Sequence, residues 1–338
     1  MINKQYKLTS PYVIEAFHNS INSNTSNVIV RPEKLSICKA DIRYYCGMRD
    51  TKVLKQRLPL ALIHEAAGIV LHDPQKNYQP GDTVILLPNI PGKDDNYDEN
   101  YRLDSQFRSS KADGFMQEMI SVPSSQVIPY KNIKGSSAAI VEFVSVGIHA
   151  VTSYLKRKKR TPQKVAVWGD GALGYVISCL LKYFMPDVHL TVLGVNKTKL
   201  ELFQFANNRL TVDELEITGC FDDVFECVGG QASGNAINQM IDTIMPEGII
   251  TLLGVSEESV PVNTRMLLEK GLTLLGRSRS TREDFEKTIE IMEANQKFAS
   301  RIGMLISEEI DINDINDIHK AFQLSKIVDY KLVLNWKI

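Results

Sequence analysis

The sequence lacks an excess of charge of either sign. Its 338 residues contain 39 Lys and Arg and 40 Asp and Glu, which gives a formal net charge of −1. Proteins that bind nucleic acid or an anionic membrane usually carry clustered positive charge. The balance therefore argues against both kinds of partner.

Long apolar runs are also missing. Residues 1–17 contain no apolar core and no small-residue cleavage site, so we expect no secretion signal. The apolar stretch between Ala138 and Ala150 is interrupted by Glu142 and is shorter than the roughly 20 residues that span a bilayer. These observations predict no membrane segment and a cytoplasmic location.

Cysteine is scarce and irregularly placed. The five cysteines are scattered along the chain and odd in number, which is typical of reduced thiols in the cytosol and not of a disulfide framework. The hydrophobic content of 43% is ordinary for a globular protein, and the length predicts about two domains.

Two patterns divide the chain near Lys164. Before it, short strands alternate with turns, and residues 89–111 form a polar stretch that we predict to be a long surface loop. After it, strands and helices alternate, and the strands are continuously apolar, as in a doubly wound parallel sheet buried between helices. Strands are predicted early in the chain at 28–30, 35–38, 83–87 and 114–120, and later at 190–193, 224–228, 249–253, 272–275 and 330–334. Helices are predicted at 136–150, 284–294 and 315–324.

A glycine-rich turn lies at the centre of the second pattern. The apolar run 165–168 ends in Gly-Asp-Gly-Ala-Leu-Gly at residues 169–174, and a helical pattern opens at Tyr175. Strand, Gly-x-Gly-x-x-Gly turn and helix together predict a dinucleotide site, with the pyrophosphate at the helix start. A glycine turn in an ordinary βαβ unit is the alternative. The residues expected to bind the cofactor are Gly169, Gly171, Ala172, Leu173 and Gly174.

The next strand predicts which nicotinamide cofactor binds. Enzymes that use NAD usually place an acidic residue near the end of this strand to hold the ribose 2′-hydroxyl. Gly194 occupies that position here, and Asn196 and Lys197 follow it. Because a cation suits a 2′-phosphate, we predict NADP(H). Lys197 could instead be an ordinary solvated lysine.

A second constellation lies in the first half of the chain. Cys38, His64, Glu65 and Glu142 all have side chains that bind zinc, and a mixed set of thiolate, imidazole and carboxylate is typical of a catalytic site. The pair His64-Glu65 does not begin a His-Glu-x-x-His motif, because Gly68 stands where the second His would be. Each residue alone has an ordinary alternative: a buried thiol, a hydrogen-bonded core imidazole or a paired carboxylate.

These motifs in this order resemble the zinc-dependent medium-chain dehydrogenase/reductase superfamily. The resemblance covers nearly the whole chain and includes Cys38-x-x-Asp41, His64-Glu65-Ala-Ala-Gly68, Pro80-Gly81-Asp82, Gly114-Phe115 and the glycine turn. The run Glu142-Phe143-Val-Ser-Val-Gly147 is similar to the polyol dehydrogenase branch, which has Glu-Pro-Leu-Ser-Val-Gly.

The resemblance implies an architecture and a ligand set. It implies a mostly-β, GroES-like catalytic domain at 1–147, a Rossmann domain at 148–280 and completion of the catalytic domain by 281–338. It implies one catalytic zinc at Cys38, His64 and either Glu65 or Glu142, with Asp41 beside the ligands. We expect both glutamates at the metal, where they exchange with water. It also implies a homodimer joined through Rossmann sheet edges, for which Ile249–Gly254 and Leu272–Leu275 are the candidate strands.

The sequence departs from the family pattern at several positions. Ala40 replaces the Ser or Thr that relays the substrate proton, and Arg43 replaces a common His. Proton transfer must then use a zinc-bound water, Glu65 or a tyrosine such as Tyr44. Ile63 replaces the Gly before the His-Glu pair, and the lobe that carries four cysteines in many relatives has none. We therefore expect no structural zinc.

Within the family, the chain is most similar to the reductases of ribulose 5-phosphate. The similarity lies in 37–45, 62–68 and 141–145. It implies reduction of D-ribulose 5-phosphate to D-ribitol 5-phosphate with NADPH, for CDP-ribitol and then wall teichoic acid or capsule. It also implies a pathway link to ribitol-5-phosphate cytidylyltransferase. The candidate contacts for the sugar phosphate are Arg43 and Arg279, the latter from the cluster Arg277, Arg279 and Arg282. Surface solubility or contact with the cofactor phosphate is the alternative role for these arginines.

Three alternatives stay open at this point. The chain could be an NAD(P)-dependent dehydrogenase of an unphosphorylated polyol, or a zinc-free quinone or enoyl reductase of the same fold. It could also be a non-catalytic nucleotide-binding protein, because the relay hydroxyl is missing at Ala40.

Overall fold

The computed structural model describes residues 1–215 and 221–338. The chain forms two units, Met1–Ser145 with Ser280–Ile338, and Val146–Arg279. The predicted domain boundaries lie one or two residues further along the chain, at 147 and 280. Cys220 lies outside the described residues, and the four cysteines within them are free thiols.

The elements up to the first boundary are mostly short strands. The strands are β1 (Ile2–Ser10), β2 (Val13–Ser20), β3 (Val28–Ser36), β4 (Leu60–Ala61), β5 (Glu65–His72), β6 (Thr83–Leu86), β7 (Asn89–Ile90), β8 (Gln106–Phe107), β9 (Ile120–Val122) and β10 (Val127–Pro129). The helices are α1 (Lys39–Tyr45), α2 (Thr51–Arg57) and α3 (Val141–Leu155), with 3₁₀ turns at Ser124–Gln126 and Gly135–Ile140.

The remaining elements alternate between strand and helix. In the second unit they are β11 (Lys164–Trp168), α4 (Ala172–Phe184), β12 (His189–Gly194), α5 (Lys197–Leu200), β13 (Asn208–Thr211), β14 (Asp223–Glu226), α6 (Ala232–Thr243), β15 (Ile249–Leu252), α7 (Thr264–Glu269) and β16 (Thr273–Gly276). Two 3₁₀ turns, Glu201–Phe203 and Val212–Glu214, also belong to this unit. The chain ends with α8 (Arg282–Ala294), α9 (Gln296–Gly303), β17 (Ile306–Ile312), α10 (Ile315–Leu324) and β18 (Lys331–Trp336).

A seven-stranded sheet forms the centre of the first unit. Its order is β10-β6-β5-β3-β18-β17, and β9 pairs with β3. The C-terminal strand β18 inserts beside β3, so residues far apart in sequence share this sheet. Its apolar faces pack into a core that includes the fully buried side chains of Leu35, Val70, Phe115 and Leu334.

The predicted strands at 28–30 and 35–38 are one continuous strand, β3. Proline has no N–H to donate to a ladder, and it is tolerated at bulges. The pairing of β3 with β5 shifts register between Pro32 and Lys34, which accommodates the proline without ending the strand.

Two other predictions in this unit were wrong in part. Residues 89–111 are not simply a surface loop, because β7 pairs with β8 and Ser105 and Ser109 are buried. The predicted strand 114–120 becomes a strand only at Ile120. Before that residue, the N–H groups of Gly114 and Phe115 donate to the carbonyls of Ala61 and Ile63 at 2.7 Å each. This segment therefore packs against 61–63 in an irregular conformation.

The parallel sheet predicted for the second unit is confirmed. Six strands pair in parallel in the order β13-β12-β11-β14-β15-β16, which is the doubly wound order of a Rossmann fold. Two segments were predicted as candidate edge strands. The prediction for Ile249–Gly254 was wrong, because β15 pairs with β14 on one side and with β16 on the other. Thr273–Gly276 forms one edge of the sheet.

One helical segment needs comment because of its composition. Gly135–Leu155 spans 21 residues and is apolar enough, by length and composition alone, to cross a membrane. However, 78% of its most apolar window is buried in the protein, as in a core helix. The segment is longer than the sequence analysis expected, because a 3₁₀ turn runs directly into α3.

A buried polar pair in the second unit gives a test of its packing. The Tyr154 hydroxyl donates to the Asp223 carboxylate at 2.7 Å, and the other Asp223 oxygen accepts from the Ile249 N–H at 2.8 Å. Tyr154→Phe leaves a buried carboxylate oxygen without its donor, so we expect a loss of about 1.5–3 kcal/mol in the free energy of unfolding. Denaturant titration measures it, with Tyr97→Phe at an exposed site as the control. A change equal to that of the control would contradict the assignment.

Candidate functional site

Three of the predicted metal ligands come together in the first unit. One ligand atom each of Cys38, His64 and Glu65 lies within 4.8 Å of the other two. His64 and Glu65 are buried, and Cys38 is half-buried. Among residues 1–215 and 221–338, no other group of three such side chains is found. The sequence prediction that these residues form one constellation therefore has a geometric basis.

The pairing of two strands explains why these residues meet. β3 and β5 run antiparallel, and Ser36 of β3 stands opposite Glu65, the first residue of β5. Cys38 follows Ser36 by two residues and is the N-cap residue of α1, and His64 directly precedes β5. The last residues of one strand and the first of its neighbour must lie side by side, so the thiol and the two other side chains converge.

Asp41 fixes the position of this cluster. Its side chain is 0% exposed and accepts hydrogen bonds from the N–H of Cys38 at 3.0 Å, the N–H of Ile63 at 3.1 Å and the hydroxyl of Ser109. One Asp41 oxygen also lies 3.3 Å from Nδ1 of His64. A carboxylate at Nδ1 orients the ring and leaves Nε2 for a metal ion, as in many zinc sites.

The charges of Asp41 and His64 support each other. Burial alone would lower the pKa of His64, but the charge of the Asp41 carboxylate and the hydrogen bonds that Asp41 and Cys38 accept from the ring raise that pKa well above its usual value. Burial alone would raise the pKa of Asp41, but His64 and the donors from Ser109 and Cys38 lower it below its usual value. Each group therefore favours the charged form of the other, and their contact fixes the orientation of the ring.

Ile63 adopts a strained backbone conformation beside the cluster. Its φ is +67°, in the left-handed region that disfavours β-branched residues. Glycine, which family members have at this position, would adopt it without strain. Here the N–H donation to Asp41 and the N–H of Phe115 donating to the Ile63 carbonyl hold the conformation, and the side chain is fully buried.

Glu65 has one oxygen engaged and one oxygen without a partner. Its Oε1 accepts from the ammonium of Lys331, and its Oε2 is buried with no hydrogen-bond partner. Buried polar atoms are nearly always satisfied, so such an oxygen points to a missing ligand. An unpartnered carboxylate oxygen, a thiol and an imidazole nitrogen within reach of one another are the donor set of a catalytic zinc site, and these residues fit that metal.

Glu142, the fourth predicted ligand, is nearby but is not one of the three. It is 5% exposed, near the start of α3. Burial raises the pKa of its carboxyl to about 7, with repulsion from Glu65 and Asp41 adding to the rise and His64 and Lys331 opposing it. Its coordination of a metal stays a prediction.

Three residues of the site escaped the sequence analysis. Phe107 places its ring 5.4 Å from that of His64, Ser109 donates to Asp41, and Lys331 donates to Glu65. The first two lie in the polar stretch predicted to be exposed, where nothing distinguished them. A charged residue at the start of an apolar strand was the available signal for Lys331.

The arginines considered for a substrate phosphate differ in their surroundings. Arg43 lies in the last turn of α1 and is half-buried, and Arg279 is half-buried with a φ of +58°. Arg282 is engaged by the protein itself, since it donates to the Glu286 carboxylate at 2.8 Å and to the Ser125 carbonyl at 2.7 Å. Phosphate binding by Arg43 or Arg279 stays a prediction.

In the second unit, the glycine turn has the geometry that its sequence predicted. Gly169 has a φ of +127°, and a Cβ there would lie 2.8 Å from the carbonyl oxygen of Cys227. A Cβ on Gly174 would come within 1.9 Å of the Gly169 carbonyl oxygen, so helix and strand pack closely only with glycine. A Cβ on Gly171 would meet nothing within 4 Å, which leaves open space above the turn.

The helix after the turn presents its free N–H groups to that space. α4 begins at Ala172 with Gly171 as its N-cap residue, and no side chain caps it. The N–H groups of Ala172 and Leu173 are first-turn donors that have no partner within a helix. Such a helix start binds phosphate groups.

The strand-end position expected to hold an acidic residue has no room for one. A Cβ on Gly194 would lie 2.6 Å from the side chain of Asp170, the second residue of the glycine turn. The Asp170 carboxylate accepts from the N–H groups of Val195 and Asn196 at 2.8 Å each. Asp170 thereby excludes a ribose-binding acid at 194.

The predicted cofactor contacts after this strand are partly engaged. Asn196 caps α5 by accepting from the N–H of Lys199 at 3.2 Å. Lys197 pairs with Glu214 at 3.1 Å, with side chains 76% and 47% exposed. Both ends of so exposed a pair are solvated, so the pair is weak and leaves the ammonium accessible to an anion.

Glu226, which the sequence analysis passed over, organises the carboxyl edge of the sheet. It is 1% exposed and accepts from the N–H groups of Val228, Gly229 and Gly254 and from the Ser233 hydroxyl. These donors belong to the segments after β14 and β15. Ligands bind at this edge in doubly wound sheets.

The role of Asp41 gives a test of the metal cluster. Asp41→Asn removes the negative charge at Nδ1 of His64, and loss of such a partner typically weakens metal binding about 10–100-fold. Competition with a chromophoric chelator measures the zinc affinity. Asp50→Asn is the matched control, because Asp50 is the exposed N-cap of α2 and asparagine caps helices equally well. Equal affinities for the two variants would show that Asp41 does not support the site.

Comparison with known proteins places the chain in a family. Residues 24–132 match the alcohol dehydrogenase GroES-like domain, and residues 211–294 match the zinc-binding dehydrogenase model. Ribulose-5-phosphate reductase from Streptococcus pneumoniae is 40% identical over 341 residues, which cover 100% of this chain and 98% of that protein. Ribulose-5-phosphate reductase 1 from Staphylococcus aureus is 41% identical over 339 residues, which cover 99% of each.

A solved structure agrees with these sequence relatives. The structure of TarJ from S. aureus in complex with NADPH matches with a TM-score of 0.90 and 37% identity, covering 100% of both chains. Full-length similarity at this level extends over both units and over the Cys38, His64 and Glu65 cluster. The chain therefore belongs to the zinc-binding dehydrogenase family, in the group of the ribulose-5-phosphate reductases.

Proposed function

We propose that this protein is a zinc-dependent reductase that converts D-ribulose 5-phosphate to D-ribitol 5-phosphate with NADPH. The observation that carries the proposal is the cluster of Cys38, His64 and Glu65, in which one buried carboxylate oxygen has no partner. The names of the S. pneumoniae and S. aureus relatives support the substrate.

The cluster would provide the Lewis acid that activates the ketone for reduction. Cys38, His64 and Glu65 would hold zinc, and zinc bound there acts as a Lewis acid toward the ketone oxygen. Asp41 keeps the His64 ring turned toward the cluster. Glu142 is a further carboxylate in the same buried surroundings, and we propose that both glutamates would lie at the metal and exchange there with water.

Reduction of a ketone needs a hydride on carbon and a proton on oxygen. Ala40 has no hydroxyl to relay that proton. Tyr44 is 3% exposed in the hydrophobic core, with the Arg49 guanidinium 5.0 Å from the centre of its ring. We therefore assign the proton to the carboxyl group of Glu142, whose pKa is raised by burial to about 7, because Oε1 of Glu65 already accepts from Lys331.

The second unit supports the choice of NADPH. Bound NADPH supplies the hydride. The glycine turn and the start of α4 would hold its pyrophosphate, Asp170 excludes an acid at Gly194, and Lys197 would contact the 2′-phosphate. The NADPH complex of S. aureus TarJ agrees with this preference.

The wider context of the reaction is also a proposal. Ribitol 5-phosphate would pass to a cytidylyltransferase in the cytoplasm, for CDP-ribitol and then wall teichoic acid or capsule. Arg43 and Arg279 are each proposed, separately, as a contact for the sugar phosphate. The exposed edge at Thr273–Gly276 is proposed to join two copies of the chain in a homodimer.

A substrate panel tests the reaction. We expect oxidation of NADPH with ribulose 5-phosphate and much slower oxidation with ribulose, xylulose or fructose, because these lack the phosphate. A chelator that strips zinc abolishes the activity, and added zinc restores it. Equal rates with the unphosphorylated sugars would contradict recognition of the phosphate and indicate a dehydrogenase of unphosphorylated polyols. NADPH binding without turnover would indicate a non-catalytic protein.

The cofactor preference has its own test. Lys197→Ala removes a charged donor to the 2′-phosphate, and such a bond contributes about 1.5–3 kcal/mol, or roughly 10–100-fold in the KM for NADPH. The KM for NADH, which has no 2′-phosphate, stays unchanged. Lys199→Ala, two residues along the same helix, is the control. An equal effect of Lys197→Ala on both cofactors would assign Lys197 to general binding only.

A further inference from the structure

A buried lysine stands beside the metal cluster. Lys331 is the first residue of β18 and is 4% exposed. Its ammonium donates to Oε1 of Glu65 and lies 4.1 Å from the centre of the Phe143 ring. Phe143 follows Glu142 directly in the sequence, at a position where the polyol dehydrogenases have proline. The lysine is therefore enclosed by a carboxylate and an aromatic face.

Burial of a lysine is unfavourable unless strong partners offset the loss of hydration. A solvated lysine would extend to the surface, as Lys337 does in its exposed pair with Asp311. Lys331 instead faces the acidic groups of the cluster, which are Glu65, Cys38 and Glu142. Lys331 therefore interacts with the metal cluster and does not contribute to the solvated surface of the protein.

The ammonium changes what Glu65 can offer to a metal. A free carboxylate can bind through one oxygen or through both. Here Oε1 is held by Lys331, and Oε2 is left as the buried oxygen without a partner. Only Oε2 is then available to an ion held by Cys38 and His64.

We propose that Lys331 is a positioning residue that holds Oε1 of Glu65 and so presents Oε2 alone to the metal held by Cys38 and His64. This inference rests on the proposed zinc site. It assigns to the C-terminal strand a part in building a centre whose three clustered donors, Cys38, His64 and Glu65, come from residues 38–65.

A purely electrostatic role would have the opposite effect. A positive charge near a metal ion repels it, so removing a lysine that acted only through its charge would strengthen zinc binding. Removing a lysine that orders a ligand weakens zinc binding, because Glu65 must then be immobilised by the metal itself. The direction of the change in affinity therefore separates the two roles.

The test uses the full chain stripped of metal. Zinc affinity is measured by competition with a chromophoric chelator, and cobalt(II) is added separately because its visible spectrum reports the number of ligands. For Lys331→Met, we expect about 10–100-fold weaker zinc binding and a cobalt spectrum altered toward higher coordination. Lys337→Met is the matched control on the same segment, and we expect it to bind both metals like the original chain.

Lys331→Arg covers the case in which Lys331→Met fails to fold, as judged by thermal unfolding. It keeps the charge, but its planar fork can engage both oxygens of a carboxylate, so we expect weaker zinc binding here as well. Unchanged or tighter zinc binding by Lys331→Met, or original affinity in Lys331→Arg if that is the variant that folds, would overturn the inference. Failure of the original chain to bind zinc would overturn the proposed function as well, which distinguishes the two failures.

Discussion

The buried carboxylate of Asp41 is the interaction on which the metal cluster depends. It joins three separate pieces of chain: the backbone at Cys38, the segment Ile63–His64 through the Ile63 N–H and the His64 ring, and the Ser109 hydroxyl. A charge in an apolar interior persists only when such donors surround it. The donors are satisfied at the same time, so the charge also fixes the ligand-bearing segments relative to one another.

Buried or partly buried carboxylates also organise the loops at the carboxyl edge of the sheet in the second unit. Glu226 collects donors from the segments that follow β14 and β15, and Asp170 collects the N–H groups that follow β12. Loops at a sheet edge have backbone groups that the ladder does not satisfy. A carboxylate that satisfies several of them holds the loops in one conformation, which pre-organises the edge for a ligand. At Gly194 this arrangement also removes the space for the acidic residue of NAD enzymes.

Two departures from the family pattern are explained by contacts with distant residues. Ile63 tolerates a conformation suited to glycine because Asp41 and Phe115 hold its two backbone groups. Phe143 replaces a proline and provides the ring beside which Lys331 is buried. A residue that looks like a local exception is, in both cases, held by contacts from distant parts of the chain.

The sequence by itself determined the elements that depend on local pattern. The glycine turn, the alternating apolar strands of the Rossmann sheet and the helix 315–324 follow from periodicity and from the need for glycine at particular backbone positions. The types of the ligands Cys38, His64 and Glu65 were also readable, because few side chains bind zinc. Only the tertiary structure decided which polar residues face them. Ser109 and Lys331 reach the site from 68 and 266 residues away from their partners, and no local pattern encodes a contact formed by strand insertion and loop packing.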